Sequence, residues 1–361
     1  MADTVFSNGI YVESGISEIL DTSLVDITTD ADVMDTIQNY TNIKSALMFT
    51  ETPFISKDQK YGHKVGPTEL DRINEGENKK MKEVSFTPKK GFEIKERANK
   101  VAVGYLTYEY LKQSKTLDGA NNNVLTEFAN LADETKDLTM SDMLTKQYEM
   151  VRLLTAGFSE TADFGPGSST PNGNPLFYAA HPYLNGTATF SNTSSNPLTD
   201  ANLQTALTAL KTGVRAQNGK FIGGNEFTLV VGRALSVTAR NILQTTGNTV
   251  GQFAGAGTTT TRDTLLNTFS YKGNIVHLVT LDMIGELLND GTTLGNAFNW
   301  FVMNPTYIKK NKCLKYFELY PTKLKSYVND DNDDMYVSVR SSCAVDHYWA
   351  EAGIYGSNAT S

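Results

Sequence analysis

From Asn121 to about Thr155 the chain runs without a single Gly or Pro, and Leu125, Phe128, Ala132, Met143, Met150 and Leu154 recur on one face at helical spacing. Gly157 marks the stop. About 35 residues rising roughly 1.5 Å each make a rod on the order of 50 Å long. That is about three times the usual helix, so it is expected to cross the whole molecule. A break near Thr139, where the face turns polar, is the alternative.

Charge is distributed unevenly around this rod. Met1 to Ser56 holds nine acids against the single Lys44, which is −8, whereas Lys57 to Lys100 holds twelve bases and eight acids, which is +4. An acidic arm followed by a basic segment invites contact between them, within one chain or from copy to copy; two solvated faces are the alternative. The stretch from Phe54 to Val103 is polar and lysine-rich, with short β-prone runs at Val84 and Phe86 and at Phe92 and Ile94, separated by Pro88 and Gly91. Between Lys57 and Met81 there are few large apolar residues, so this hairpin-like chain brings little core of its own. Such an element is explained by function or by packing on something outside the monomer.

Beyond the rod, Phe164 to Pro197 is rich in Gly, Pro, Asn and Ser and reads as loop with one hairpin around Phe177 to Phe190. A helix from Asp200 to Gln217, a strand Phe227 to Val231, a helix through Leu235, Ala239, Ile242 and Leu243, and strands at Ile275 to Val279 and Trp300 to Met303 compose a small α/β unit. Gly247 to Thr261 interrupts it as a glycine-rich tip. The end is β, with strands Leu314 to Tyr320, Leu324 to Val328 and Met335 to Val345. The fold class is therefore α+β.

Composition narrows the function by exclusion. A chain of 361 residues can bury a proper core, and Cys313 and Cys343 alone make no disulfide scaffold. With 32 Lys+Arg against 40 Asp+Glu the net charge is −8, which argues against coating nucleic acid as the main task. No apolar run approaches the roughly 18 residues of a membrane span, and Met1 to Leu20 lacks the plan of a signal peptide. A soluble protein of a reducing cytoplasm is expected.

No catalytic or ligand-binding motif stands out in the sequence. Asp346 and His347 are neighbours on a strand and point to opposite faces, and Cys343 and His347 are separated by roughly 13 Å of strand. His277, between Ile275 and Val279, reads as a satisfied core or interface histidine. Gly213 to Lys220 superficially resembles a phosphate-binding loop, but its glycine spacing is wrong and Phe221 stands where Ser or Thr is needed. Asp330, Asn332 and Asp334 imitate the start of a calcium loop that Met335 and Ser341 then contradict. No catalytic, cofactor-binding or metal-binding residue is assigned, no cofactor is expected, and the chain is read as a structural or interaction protein rather than an enzyme.

The order of segments resembles the major capsid protein of tailed bacteriophages, with its HK97-like fold. The run Asn174 to Pro182, the helix from Asp200 to Gln217, the strand and helix from Phe227 to Ile242, and the closing Tyr336 to His347 are similar to the Mu-type major head subunit. The resemblance implies an N-terminal arm over 1–53, an extended loop over 54–103, a peripheral domain over 104–197 with its spine helix at about 121–155, an axial domain over 198–310, peripheral strands over 311–349 and a C-terminal segment over 350–361. It implies self-assembly into pentamers and hexamers of an icosahedral virion capsid, built in the bacterial host cytoplasm around double-stranded DNA held without sequence specificity. A separate scaffold is expected, because the chain begins at Met1 with no long charged helical prefix; a portal and a decoration protein are the further partners, and no membrane is involved. Lys79, Lys80, Lys89, Lys90 and Arg97 are the candidate intersubunit contacts, meeting acids of a neighbouring copy. Some members of the fold weld the shell by a Lys–Asn isopeptide bond, but no partner residue for that reaction is assignable here. An encapsulin-like nanocompartment shell, and an enzyme with an unrecognised site, are the alternative readings.

Overall fold

In a computed structural model of the chain, residues Asn122–Thr155 form one unbroken helix. The structure describes residues 4–5, 10–13, 27, 29–53, 60–61, 90–91, 95–104, 122–159, 174–183, 189–213, 222–246, 266–288, 291–328 and 334–360. The helix passes Thr139 without a break because the polar residues there satisfy themselves locally. Thr139 is fully buried, and its hydroxyl donates to the Thr135 carbonyl one turn back at 2.9 Å. The apolar positions Met143, Met150 and Leu154 are all buried, as the period requires.

The chain divides into two units, and the long helix contributes to both. The first comprises residues 1–44, 94–147 and 317–344. Its sheet places Thr4–Val5, Tyr11–Glu13, Leu314–Val328, Met335–His347 and Lys95–Val103 side by side in that order. The last pair is antiparallel, with Ala98 opposite Arg340, Lys100 opposite Ser338 and Ala102 opposite Tyr336. One sheet face carries Leu324, Val337 and Val339 into a core with Ile10, Ile27, Val33 and Met143, against which Leu138 and Val101 also pack. Because strand side chains alternate, Lys100, Ser338 and Arg340 are left on the other face.

A helix over Ala31–Ala46 belongs to this unit as far as Lys44. The acidic charge of the region hid it from a reading by apolar period, although Val33, Ile43 and Ala46 are buried along it. Asp30 begins it by accepting from the backbone N–H groups of Asp32 at 2.9 Å and Val33 at 3.4 Å. The Lys136 ammonium lies 2.9 Å from Asp30 and 2.8 Å from Asp32; its hydrogen bond is the main cause that holds the Asp30 carboxyl below the usual range.

The second unit comprises residues 45–93, 148–316 and 345–361. Its six-stranded sheet runs in the order Leu266–Tyr271, Asn274–Leu281, Glu226–Gly232, Trp300–Met303, Ile354–Ser357 and Thr193–Ser194. Phe227 to Gly232 is buried throughout, which fits the unbroken apolar run of a strand covered on both faces. The edge strand Leu266–Tyr271 escapes a reading by hydrophobicity because Asn267, Thr268 and Ser270 are polar. Short helices are set by their caps. Thr199 accepts from Asn202 N–H at 3.2 Å to start Asp200–Thr208, which ends in a π turn, Ala209–Gly213. Asn304 caps Pro305–Asn311, where Pro305 occupies the first turn and Lys312 turns left-handed at the end.

Two expectations differ in detail. Leu314–Val328 is one continuous strand, because Pro321, with no N–H to donate, interrupts the apolar pattern but not the extended backbone. The last segment supplies the strand Ile354–Ser357, whose Gly356 lies against Phe177 so closely that a Cβ would stand 2.7 Å from the ring.

Candidate functional site

The outward face of the first unit's sheet forms an open groove of ≈ 660 Å³ across three strands. Lys95–Val103 supplies Ala98 and Lys100, Met335–His347 supplies Ser338 and Arg340, and Leu314–Val328 supplies Lys325 and Tyr327. The Lys100 ammonium stands 4.0 Å over the Tyr336 ring, whose neighbour Tyr327 stacks on it with centroids 5.5 Å apart. Arg340 makes only a loose 3.9 Å contact with Glu96, both side chains being more than half exposed. Burial, and then a hydrogen bond to the Glu96 carboxylate, push the Tyr320 hydroxyl up to about 12. Three cations from three strands thus share one concave face.

Behind the groove the sheet is fixed to the long helix by a buried polar network. Ser341 Oγ donates to Asp142 Oδ1 at 2.6 Å, and Thr322 Oγ1 donates to Asp142 Oδ2 at 2.7 Å. Lys146, whose side chain is 3% exposed, places its ammonium 2.9 Å from Thr322 Oγ1, 3.2 Å from Glu318 Oε1 and 3.7 Å from Asp142 Oδ2. Gln147 Nε2 donates to the Thr36 carbonyl at 3.1 Å and holds the Ala31–Ala46 helix to the same element. These bonds set the orientation of the strands that carry the groove.

Of the intersubunit candidates, Arg97 lies on the helix-facing side of its strand, opposite Ser341, with Nη1 3.3 Å from the sulfur of Cys343. Lys90 belongs to the two-residue ladder that joins Lys60–Tyr61 to Lys90–Gly91. Lys79, Lys80 and Lys89 lie outside the described residues. Sequence reasoning missed Lys100, Lys325 and Arg340, the first of which lies more than two hundred residues from the other two. Their signal was the spacing by two that sets Lys323, Lys325 and Tyr327, and likewise Tyr336, Ser338 and Arg340, on one side of each strand.

In the second unit His277 is partly buried on its strand, and both ring nitrogens are partnered. Thr268 Oγ1 is 2.9 Å from its Nδ1 and Glu226 Oε1 is 2.9 Å from its Nε2. Asp346 accepts from the backbone N–H of His347 at 2.7 Å, so it is not aimed at the neighbouring ring. His181 is buried: its Nε2 donates to the Leu176 carbonyl at 3.2 Å, and desolvation lowers its pKa to about 4. Among the described residues no group of three or more His, Cys, Asp or Glu is placed to hold a metal ion, and no helix is long and apolar enough to cross a membrane.

No family profile and no curated protein matches this sequence. Solved structures do resemble it. A chain described as Mycobacterium phage Patience superposes with a TM-score of 0.51 at 12% identity, covering 96% of this chain and 90% of that one. A chain of Gordonia phage Cozz gives 0.47 at 13% identity over 89% and 87% of the two chains. One from the asymmetric unit of the bacteriophage PhiM1 mature capsid gives 0.45 at 11% over 86% and 85%. The chain has a mixed α+β, HK97-like fold.

Proposed function

We propose that this protein is the structural subunit of an icosahedral phage head, closing by pentamers and hexamers around double-stranded DNA. The observation that carries the reading is the HK97-like architecture, matched along 96% of the chain rather than over one fragment. The residue runs that resemble the Mu-type head subunit point the same way. Assembly in the host cytoplasm on a separate scaffold, with portal and decoration proteins as later partners, belongs to this reading, as do the arm, loop, peripheral and axial divisions of the chain.

The mechanism follows from repetition. The interior of the loop, from Lys57 to Met81, has few large apolar residues, and it gains a fixed position by lying across a neighbouring copy, with Lys79, Lys80, Lys89 and Lys90 among the loop's contacts. Each exposed ion pair contributes little, on the order of 0–1 kcal/mol. A closed shell repeats every contact in each copy, so weak terms sum to a durable container while single errors still dissociate. An acidic subunit, net −8, keeps the wall from gripping packaged DNA too strongly for packaging or ejection.

Deleting Lys60 to Lys82 tests the strap. The shortened chain is expected to stay soluble and folded by circular dichroism while forming no shells in electron micrographs where the full chain does. Normal particles from the deleted chain would rule the strap out.

A further inference from the structure

Most lysines whose side chains the structure describes have partners. Lys136, Lys146 and Lys272 meet carboxylates, Lys44 and Lys100 stand over tyrosine rings, and Lys211 meets the Asn225 side chain. Lys309, Lys310 and Lys312 differ. All three are exposed, and none makes a hydrogen bond, ion pair or ring contact through its side chain with a described residue. They lie in a stretch, Gly291 to Phe317, that contains four lysines and no acid, within a chain of net −8.

The helix Pro305–Asn311 in the second unit presents them. Tyr307 and Ile308 are its buried residues, and a Cβ at Gly353 would stand 2.6 Å from Tyr307 Cδ1, so that face is tightly packed. Thr306, Lys309 and Lys310 take the solvent face by helical spacing, and Lys312 follows at the end. Lysines in a last turn are ordinarily explained by the partial negative charge of the helix end. Lys312 goes beyond that role, because it holds a left-handed conformation, φ 50° and ψ 48°, where glycine or asparagine is the usual residue. Glu351, whose charge reaches the buried Tyr307 and Cys313, is itself 1% exposed and is not available at this surface.

We propose that Lys309, Lys310 and Lys312 form a contact site for the phosphate backbone of duplex DNA, the part of each copy that bears on a packaged genome. This rests on the phage-head reading above and names the residues that meet the contents of the shell. The character of the patch selects its partner. Ammonium groups on long flexible stems are point charges that follow a phosphate track without fixed geometry and without reading sequence. Among the described residues of this turn no aromatic ring is exposed to stack on an unpaired base, and no large apolar side chain is exposed to anchor an acidic peptide. Three cations per copy also agree with an acidic wall. The contact is weak in one subunit, sensitive to salt and repeated in every copy.

The test compares the unassembled full-length parent with K309Q/K310Q/K312Q and K309R/K310R/K312R, using the anisotropy of a fluorescent DNA duplex over a range of salt. Three phosphate contacts set a log–log salt slope of about −2.7, so the glutamine variant is expected to be shallower than the parent by about 2 to 3. Its affinity at low salt is expected to fall by about tenfold or more, and the arginine variant to keep both slope and affinity. Melting temperatures of the three proteins separate loss of contact from loss of fold. To guard against a glutamine variant that fails to fold, DNA-filled particles of the parent are fixed with formaldehyde, which is expected to couple nucleotides to the peptide holding Lys309 to Lys312. A glutamine variant that melts like the parent and keeps its slope, or fixed particles whose nucleotide adducts all lie elsewhere, would overturn the proposal while leaving the shell reading intact. Loss of binding to polyglutamate with unchanged binding to DNA would overturn it in favour of an acidic protein. Shells of the parent chain that never contain DNA would instead remove the phage-head reading on which it rests.

Discussion

The hydroxyl of Ser341 donates to the carboxylate of Asp142 at 2.6 Å, joining the closing strand of the first unit to its long helix. Asp142 also accepts from Thr322 and lies 3.7 Å from the Lys146 ammonium, so one carboxylate serves two strands and one buried cation. The Asp142 and Lys146 side chains are only 8% and 3% exposed, so neither charge is shielded by water. Replacing Asp142 by Ala is expected to destabilise the folded chain by about 3–5 kcal/mol, because it leaves a buried ammonium with Glu318 as its remaining carboxylate partner. Replacement by Asn, which keeps two polar atoms at the site, is expected to cost less. Urea unfolding of the two variants and the parent, each as unassembled chain, checks both.

Asn192 is the corresponding knot of the second unit. Its Nδ2 donates to the carbonyls of Leu176 at 2.8 Å, Glu351 at 3.1 Å and Ile354 at 3.2 Å, and its Oδ1 accepts from Tyr178 N–H at 2.9 Å. Asn192→Ala removes these bonds from a fully buried site and is expected to cost about 3 kcal/mol. Asn192→Asp should do no better, since a carboxylate cannot donate to three carbonyls. Thermal melts of the two variants would give similar, large decreases.

His181 makes stability depend on pH. Its pKa falls from 6.5 to about 4 on folding, chiefly by desolvation, so the unfolded chain binds a proton that the folded chain refuses. The contribution of the neutral ring is complete above pH 6.5 and is lost as pH falls toward about 4, on the order of 3 kcal/mol in all. His181→Gln, which keeps a donor for Leu176 but does not titrate, is expected to flatten the melting temperature between pH 6.5 and 4 relative to the parent. An unchanged slope would exclude His181 as its source.

Neither thiol should react while the chain is folded. Burial pushes the Cys313 thiol well up, the nearby Glu351 charge adds to this and Lys315 opposes it. Cys343 is 1% exposed. A colorimetric thiol reagent is expected to find essentially no fast-reacting sulfur in native protein and two after denaturation.

Gly356 tests the packing of the strand Ile354–Ser357. A Cβ there would stand 2.7 Å from the Phe177 ring, which itself stacks on Phe301 with centroids 5.4 Å apart. Gly356→Ala is therefore expected to destabilise by about 1–3 kcal/mol, through displacement of an aromatic cluster that has little freedom to move.

How much of this was legible depended on whether the signal was local. The long helix could be read because its period is continuous and free of Gly and Pro, and the strand through Phe227 and Val231 because both of its faces are apolar. Ala31–Ala46 was obscured by Asp32 and Asp35 on its exposed side, and Leu266–Tyr271 by the polar residues of an edge strand. The groove was the least legible feature, since Lys100 meets Lys325 and Arg340 only through strand pairing between stretches more than two hundred residues apart in the chain. The lysines of the loop drew attention by number alone, while the cations fixed on the sheet stood singly between apolar or neutral neighbours. His277 is satisfied as its place between Ile275 and Val279 suggested, but by polar partners on neighbouring strands, Thr268 and Glu226, that its own stretch does not show.

Electron micrographs of the purified full-length chain, alone and coexpressed with a scaffold, decide whether it builds a shell. Closed shells of uniform diameter with five-fold vertices are expected, containing genome-length DNA when recovered from virions. A chain that stays monomeric in every condition, or shells that consistently enclose a cargo enzyme instead of DNA, would contradict the phage-head reading.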